Sequence, residues 1–209
     1  MPDGQETVFV VDDDEAVRRS LARLLRSAGL TVESFASAGE FLARDGDDGV
    51  GCIVLDVRMP DLDGMGLQAR LADEGDDLPI VFLTGHGDIP LSVRAMKKGA
   101  FDFLTKPVDE DVLLTTVRQA LLGHQVARVG RLEAEALRAR VDTLTPREKE
   151  VVRCVIAGAR NKQIADHLGI AEHTVKLHRG QVMKKLGVNT VTALVNACQQ
   201  AGIEPTTIS

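Results

Sequence analysis

The stretch VFVVDDDEAVRRS, Val8 to Ser20, decides how the rest of the chain is read. Four apolar residues run without a break into Asp12, Asp13, Asp14 and Glu15, and a helical rhythm follows. An uninterrupted apolar run of this kind is a strand buried on both faces. Its end then delivers adjacent carboxylates into a fold, where like charges raise one another's pKa and cost stability. That arrangement calls for a compensating cation.

The same alternation continues to about residue 110. Apolar runs recur at TVFVV (7–11), TVESFA (31–36), CIVLD (52–56), PIVFLT (79–84) and AFDFL (100–104). Between them, Val17, Leu21, Leu24 and Leu25 share one face of a helix that stops at Gly29. Met65, Leu67 and Leu71 share another, ending near Gly75, and Ile89, Val93 and Met96 a third, ending at Gly99. Strands alternating with helices predict right-handed crossovers and a doubly wound, five-stranded parallel α/β sheet.

From 109 to about 141 the pattern is helical throughout. Leu113, Leu114, Val117, Leu121 and Leu122 form a strong apolar stripe, which thins after Gly123. The charged, Ala-rich RLEAEALRAR reads as an exposed linker helix, with a weak coiled coil as the alternative. A second unit opens at LTPREKE. Thr145 is an N-cap, Pro146 suits the first helical position and Glu148 completes a capping box. Four short helices follow, at about 146–157, 161–168, 172–186 and 190–201. The expected organisation is therefore 1–125, a helical linker over 126–141, and an all-α helix-turn-helix domain over 142–209.

Charge divides along the same line. Residues 1–141 hold 16 basic and 25 acidic side chains, a net of −9; residues 142–209 hold 9 and 6, a net of +3. An acidic module joined to one that tolerates polyanions is implied. Cys52, Cys154 and Cys198 are an odd set without framework spacing, which argues for a reducing compartment. The chain holds no apolar run near 18 residues, and MPDGQET does not read as a signal peptide. The expectation is a cytoplasmic protein with no membrane partner.

In a parallel sheet, ligands gather outside the carboxyl ends of the strands. Asp12 and Asp13 end the first strand, Asp56 the third and Thr84 the fourth, while Lys106 follows the fifth. Three carboxylates on one rim make sense around a hard divalent cation such as Mg²⁺, which prefers oxygen ligands and phosphate. Asp56 is the candidate nucleophile, since Asp carboxylates form acyl phosphates. Lys106 would supply positive charge and Thr84 a hydroxyl donor. Singly, each residue has an ordinary structural role; Asp14, for one, is placed to cap the first helix, with Glu15 at its positive end.

VVDDDEAVR, VLDVRMPDLDG, FLTGHGDIP and GAFDFLTKP resemble the receiver domain of two-component response regulators, over about 7–125. The resemblance runs to the branch that includes FixJ and StyR. It implies a flavodoxin-like fold in which Asp12, Asp13, Asp56 and the backbone carbonyl of Arg58 hold Mg²⁺. Asp56 would take phosphate from a sensor histidine kinase, with Thr84 and Lys106 gripping the phosphoryl group. Phe103 matches the aromatic switch position, and the Lys106–Pro107 peptide is expected to be cis. Arg58 and His86 would tune phosphate lifetime. Repacking of residues about 88–122 would then let two receivers form a homodimer.

NKQIADHLGIAEHTVKLHRGQVMKKLG (161–187) has the length and turn of a helix-turn-helix. Its second helix sets Thr174, Lys176, Arg179 and Lys184 opposite Val175, His178, Val182 and Leu186. A polar recognition face would enter the major groove, with Lys and Arg on phosphates. His178 is expected to be packed and hydrogen-bonded, and Lys185 borders the buried stripe. From LTPREKEVV through LGVNTVTALV, over about 140–203, the chain resembles the LuxR/NarL-type output domain. The resemblance implies binding of double-stranded DNA and regulation of transcription, as an activator working with RNA polymerase. It directs Lys176, Leu177 and the Gly180 position to bases, and Lys162, Gln163, Thr174 and Arg179 to the DNA backbone. It also assigns Val191, Leu194, Val195 and Cys198 of the last helix to dimerisation, with burial in the monomer as the competing reading. Two departures stand out: Gly180 lacks a side chain, and Ala171 replaces a Ser cap.

Two other classes compete. Asp12-x-Asp14 matches the nucleophile and acid of haloacid-dehalogenase-type phosphatases, but leaves Asp56 without a role. A receiver whose tail binds protein in place of DNA is the third.

Overall fold

The computed structural model describes residues 6–44, 49–85 and 89–206. The chain divides into two compact units, Met1–Arg128 and Val129–Ser209.

The first unit is built on β1 (Thr7–Val11), β2 (Thr31–Phe35), β3 (Gly51–Asp56), β4 (Ile80–Thr84) and β5 (Asp102–Thr105). All pairings are parallel, in the order β2-β1-β3-β4-β5. Side chains alternate between two faces, so each apolar strand feeds two cores. Phe9, Ile53, Leu55 and Phe82 pack with Phe41 of α2 (Ala38–Leu42), Leu67 and Leu71 of α3 (Gly64–Glu74) and Ala95 of α4 (Ile89–Lys97). Val8, Val10, Val54, Val81 and Leu83 pack with Leu21 and Leu25 of α1 (Glu15–Ser27), and with Leu113, Val117 and Leu121 of α5 (Glu110–Asp142). Burial on both sides is why these strands carry no polar alternation, and the expected doubly wound sheet is what forms.

Two local differences from the sequence reading have physical causes. Helix α2 was not expected. It is short, but Ser37 caps it by accepting the Glu40 N–H at 3.1 Å, and Glu40 accepts the Ala36 N–H at 2.6 Å. SAGE (37–40) carried that S-x-x-E signal. The fifth strand begins at Asp102, not Ala100: Gly99 turns with φ 89°, and Phe101 first donates to the Ile80 carbonyl at 2.8 Å. Helix α5 is continuous for 33 residues, as expected, and beyond His124 its Val126, Val129 and Leu132 stand at least half exposed.

The second unit contains α6 (Pro146–Ile156), α7 (Asn161–Leu168), α8 (Glu172–Leu186) and α9 (Val191–Gln200). Thr145, Pro146 and Glu148 form the expected capped start. The core joins Val151, Val155, Ile164, Val175, Val182 and Leu186 to Leu194 and Cys198. Leu194 and Cys198 are therefore monomer core, as the competing reading had them; Val191 stays exposed and Val195 half-buried.

Candidate functional site

The strand ends of the first unit meet around one ammonium. Asp12, Asp56 and Thr84 are buried, at 1%, 7% and 3% exposure. Lys106 Nζ lies 2.6 Å from Asp12 Oδ2 and 2.5 Å from Asp56 Oδ1. The other Asp56 oxygen accepts the Arg58 N–H at 2.6 Å, and Asp12 Oδ1 accepts the Asp14 N–H at 2.9 Å. The Lys106 N–H donates to the Thr84 carbonyl at 2.6 Å, which ties the loop after β5 to β4. The Lys106–Pro107 peptide is cis. Gly64 backs the site closely: a Cβ there would meet the Asp56 carbonyl oxygen at 2.4 Å, so no larger residue fits.

Burial pushes the Asp56 carboxyl up; the Lys106 ammonium opposes this without reversing it, so the pKa stays above the usual carboxylate value. For Lys106, burial acts to lower the pKa, but its bonds to Asp12 and then Asp56 outweigh it, and the pKa is raised. The ammonium is therefore held charged by the carboxylates it bridges.

Of the residues expected on this rim, the structure brings Asp12, Asp56, Thr84 and Lys106 together and leaves Asp13 exposed. Among the described residues, no three acidic, His or Cys side chains close around a common point. Lys106 offsets the charge of Asp12 and Asp56. The donor set consists of hard oxygens, which fits Mg²⁺ in kind. Phe103 is half-buried, its ring 6.0 Å from that of Phe82. His86 lies outside the described residues. Asp14 is occupied as a helix cap, accepting the Ala16 and Val17 N–H groups at 2.7 and 3.2 Å, so Asp12-x-Asp14 is not a nucleophile–acid pair.

Large apolar side chains of the same unit are exposed on α4, on α5 and just before β5. Ile89, Val93, Met96, Phe101, Val112 and Leu122 are all exposed.

In the second unit, α7 ends at Leu168, capped by Gly169 with φ 65°, and α8 begins three residues after that glycine, at Glu172. Val175, Val182 and Leu186 bury one face of α8 and set the opposite one outward. On that outer surface Lys176, Leu177, Gly180 and Lys184 are exposed, with Lys176 3.6 Å from Glu172. Thr174 is half-buried, and Lys162 is exposed on α7. Arg179 is half-buried and donates to Asn161 Oδ1 at 2.5 Å, while Gln163 accepts the Arg160 N–H at 2.9 Å. His178 is packed as expected, and its buried Nδ1 has no hydrogen-bond partner among the described residues. Ala171 gives α8 no side-chain cap.

Lys185 resolves into a structural role that periodicity did not reveal. Its Nζ lies 2.6 Å from Glu148 Oε2 and 3.0 Å from the Thr143 carbonyl. Burial acts to raise the Glu148 pKa, but Lys185 and Thr145 together hold it below its usual value. Helix α8 is thereby fastened to the start of α6. His124 plays a comparable part in the first unit, accepting the Gly51 N–H on Nδ1 at 3.1 Å.

Comparison with known proteins follows the same division. Residues 8–118 match the response regulator receiver domain, and residues 142–197 match the LuxR family of bacterial regulatory proteins. Together they define a class of protein: a regulatory receiver carrying a DNA-binding transcription-factor domain, and not an enzyme. The response regulator protein TmoT of Ectopseudomonas mendocina is 43% identical over 200 residues, covering 96% of this chain and 91% of that protein. The transcriptional regulatory protein FixJ of Bradyrhizobium diazoefficiens is 42% identical over 196 residues, covering 94% and 96%. The solved structure of the response regulator StyR superposes with a TM-score of 0.87 at 47% identity, covering 94% of this chain and 99% of that one. The chain belongs to the two-component response regulators with a LuxR-type DNA-binding output domain, the group that includes FixJ and StyR. Among the described residues, no helix is long and apolar enough to cross a membrane.

Proposed function

We propose that Asp56 accepts a phosphoryl group from a sensor histidine kinase, and that this switches dimerisation and sequence-specific DNA binding. The observation that carries the reading is the Lys106 ammonium bridging Asp12 and Asp56 at 2.6 and 2.5 Å. An Asp56 carboxylate oxygen attacks phosphorus; the bond from phosphorus to the donor nitrogen breaks, and the electron pair leaves with the imidazole, which takes up a proton. Phosphoryl transfer asks chiefly for positioning and charge neutralisation. Asp12, Asp13, Asp56 and the Arg58 carbonyl would hold Mg²⁺, which when bound neutralises phosphoryl charge. Lys106 follows the new negative charge from the carboxylate to a phosphoryl oxygen. The Thr84 hydroxyl donates to another, and Phe103 turns into the space that this movement opens.

The exposed Ile89, Val93, Met96, Val112 and Leu122 supply an apolar surface for homodimerisation of the first unit. Two dimer-related α8 helices then read half-sites about one helical turn apart. Lys162, Gln163, Thr174, Arg179 and Lys184 act on the DNA backbone, and Lys176 and Leu177 on bases. The functional division is 1–125 receiver, 126–141 linker and 142–209 DNA-binding domain, in a cytoplasmic activator that recruits RNA polymerase.

The test is intact mass after exposure to acetyl phosphate with Mg²⁺. Wild type gains one phosphoryl group, Asp56→Asn gains none, and only the phosphorylated form shifts from monomer to dimer and gains affinity for duplex DNA. A mass gain that survives Asp56→Asn refutes the assignment.

A further inference from the structure

The chain turns from β1 into α1 through Asp12, Asp13 and Asp14, and the first of these is held at several points. Its N–H donates to the Phe35 carbonyl at 3.3 Å, its Oδ1 accepts the Asp14 N–H at 2.9 Å, and its Oδ2 takes Lys106 at 2.6 Å. A further contact reaches back from the helix. Arg18 Nη1 donates to the Asp12 carbonyl oxygen at 2.7 Å. Leu21, Ala22 and Leu25 bury one face of α1, and its four arginines are left to other work. Arg19 lies 3.6 Å from Glu15, Arg26 donates to the Val32 carbonyl at 2.9 Å, and Arg23 is exposed. Arg18, half-buried, is the one among these four that turns to the strand end.

A guanidinium on a carbonyl oxygen makes a charge-assisted hydrogen bond, stronger than a neutral one. The oxygen it holds belongs to the peptide that joins Asp12 to Asp13, and that unit is planar, so the bond fixes its orientation. Both carboxylates are among the ligands proposed for Mg²⁺, yet Asp12 is buried and Asp13 exposed. With the peptide between them fixed, what remains for Asp13 is chiefly rotation of its own side chain. Charge alone argues against an arginine in this place, because a guanidinium repels a divalent cation. Its grip on the backbone supplies the reason for it.

We propose that Arg18 is a positioning residue for the divalent cation: it clamps the Asp12–Asp13 peptide so that the two carboxylates are presented to Mg²⁺ together. The inference rests on the phosphoryl-acceptor function proposed above and names a residue outside the ligand set that sets its metal affinity. Replacing outer-shell partners of metal ligands typically costs about 10–100-fold in affinity.

The experiment measures Mg²⁺ binding to the full-length protein by titration calorimetry, with no phosphoryl donor present. Arg18→Met keeps an aliphatic stem and removes the donor, and Mg²⁺ binding weakens about ten-fold. Arg18→Lys returns a charged donor for this single bond and stays within about three-fold of wild type. Arg23→Met removes an α1 cation that is remote from the Asp12 carbonyl in its bonding and leaves the affinity unchanged. With acetyl phosphate, Arg18→Met gains phosphoryl mass slowly at low Mg²⁺ and at the wild-type rate once Mg²⁺ saturates. Tighter Mg²⁺ binding by Arg18→Met, the sign of charge repulsion alone, overturns the inference. So does an unchanged affinity with a lowered thermal midpoint, the sign of a merely structural bond, or an equal loss in Arg23→Met. Each of these leaves phosphorylation of Asp56 standing. Wild type that binds no Mg²⁺ and gains no mass from acetyl phosphate removes both.

Discussion

Replacing Lys185 by Met tests whether α8 is held by a buried charge. Glu148 is 2% exposed, and its Oε2 accepts from both Lys185 Nζ at 2.6 Å and the Thr145 N–H at 2.7 Å. Removing one member of a buried ion pair costs about 3–5 kcal/mol, because the other charge is left uncompensated. The Lys185 side chain is 33% exposed, so water reaches one end of the pair and brings the expectation to the lower limit, about 3 kcal/mol. Glu148→Gln should cost less, about 1–2 kcal/mol: the amide oxygen still accepts from Thr145, and the freed ammonium keeps the Thr143 carbonyl and reaches water. The double variant should fall well short of the sum. Acidity supplies a further check. In wild type the Glu148 pKa is lowered from 4.5, so its contribution is present above that value and lost as pH falls through the folded pKa. In Lys185→Met, burial acts without the ammonium, and protonation relieves the penalty as pH falls. The chain has no Trp or Tyr, so hydrogen exchange of α6 and α8 amides is the suitable assay. Additive single costs, or a Lys185→Met deficit that does not shrink toward acid pH, would refute the reasoning.

Other expectations are more compact. Because Asp56 is raised above its ordinary 3.8, the folded first unit holds that proton more tightly than the unfolded chain. The Asp56 contribution to stability should therefore be fullest below 3.8 and decline as pH rises through the folded pKa. Asp56→Asn should lack this decline and melt higher than wild type at neutral pH in EDTA, with the gain vanishing in acid; a constant difference across the range argues against it. Ala171→Ser places a hydroxyl at an extended N-cap with φ −74° and ψ 149° that has no side-chain bond, and should stabilise α8 by about 1 kcal/mol in hydrogen exchange. Ile89→Asp charges an apolar side chain that is 74% exposed and should leave the acetyl-phosphate-treated protein monomeric by sedimentation while its mass gain is intact.

The rim of the first unit was legible because topology alone brings it together. In a parallel sheet every strand delivers its carboxyl end to one side, so Asp12, Asp56, Thr84 and Lys106 could be gathered without a distance. The position of Lys106 between the carboxylates was not legible, because a side chain 94 residues from Asp12 finds its partner only through the folded backbone. The same holds for Lys185 with Glu148, 37 residues apart, and His124 with Gly51, 73 apart. Helix α2 escaped because its five residues give no periodicity, although its capping signal was in plain view. In α9, apolar spacing named Val191, Leu194, Val195 and Cys198 but could not tell core from surface; packing buries Leu194 and Cys198.

The placement of Lys106 bears on how a small covalent change becomes a switch. A ligand or modification shifts an equilibrium only by the difference in its interactions with the two states. With Asp56 unmodified, Lys106 spends two of its three donors on Asp12 and Asp56, and both bonds are short. Phosphorylation would convert the Asp56 carboxylate into an uncharged acyl group and set up to two negative charges a bond further out. The strongest acceptor available to the ammonium would then lie beyond its present position, while Asp12 stays behind. The backbone of Lys106 is tied to Thr84, so a pull on this side chain acts on the end of β4 as well as on the loop after β5. Thr84 ends β4 and Phe103 lies in β5, three residues before Lys106, and β5 packs against α4, whose Ile89, Val93 and Met96 are exposed. On this account Lys106 is more than a counter-charge: its redirection is the differential interaction that the switch requires.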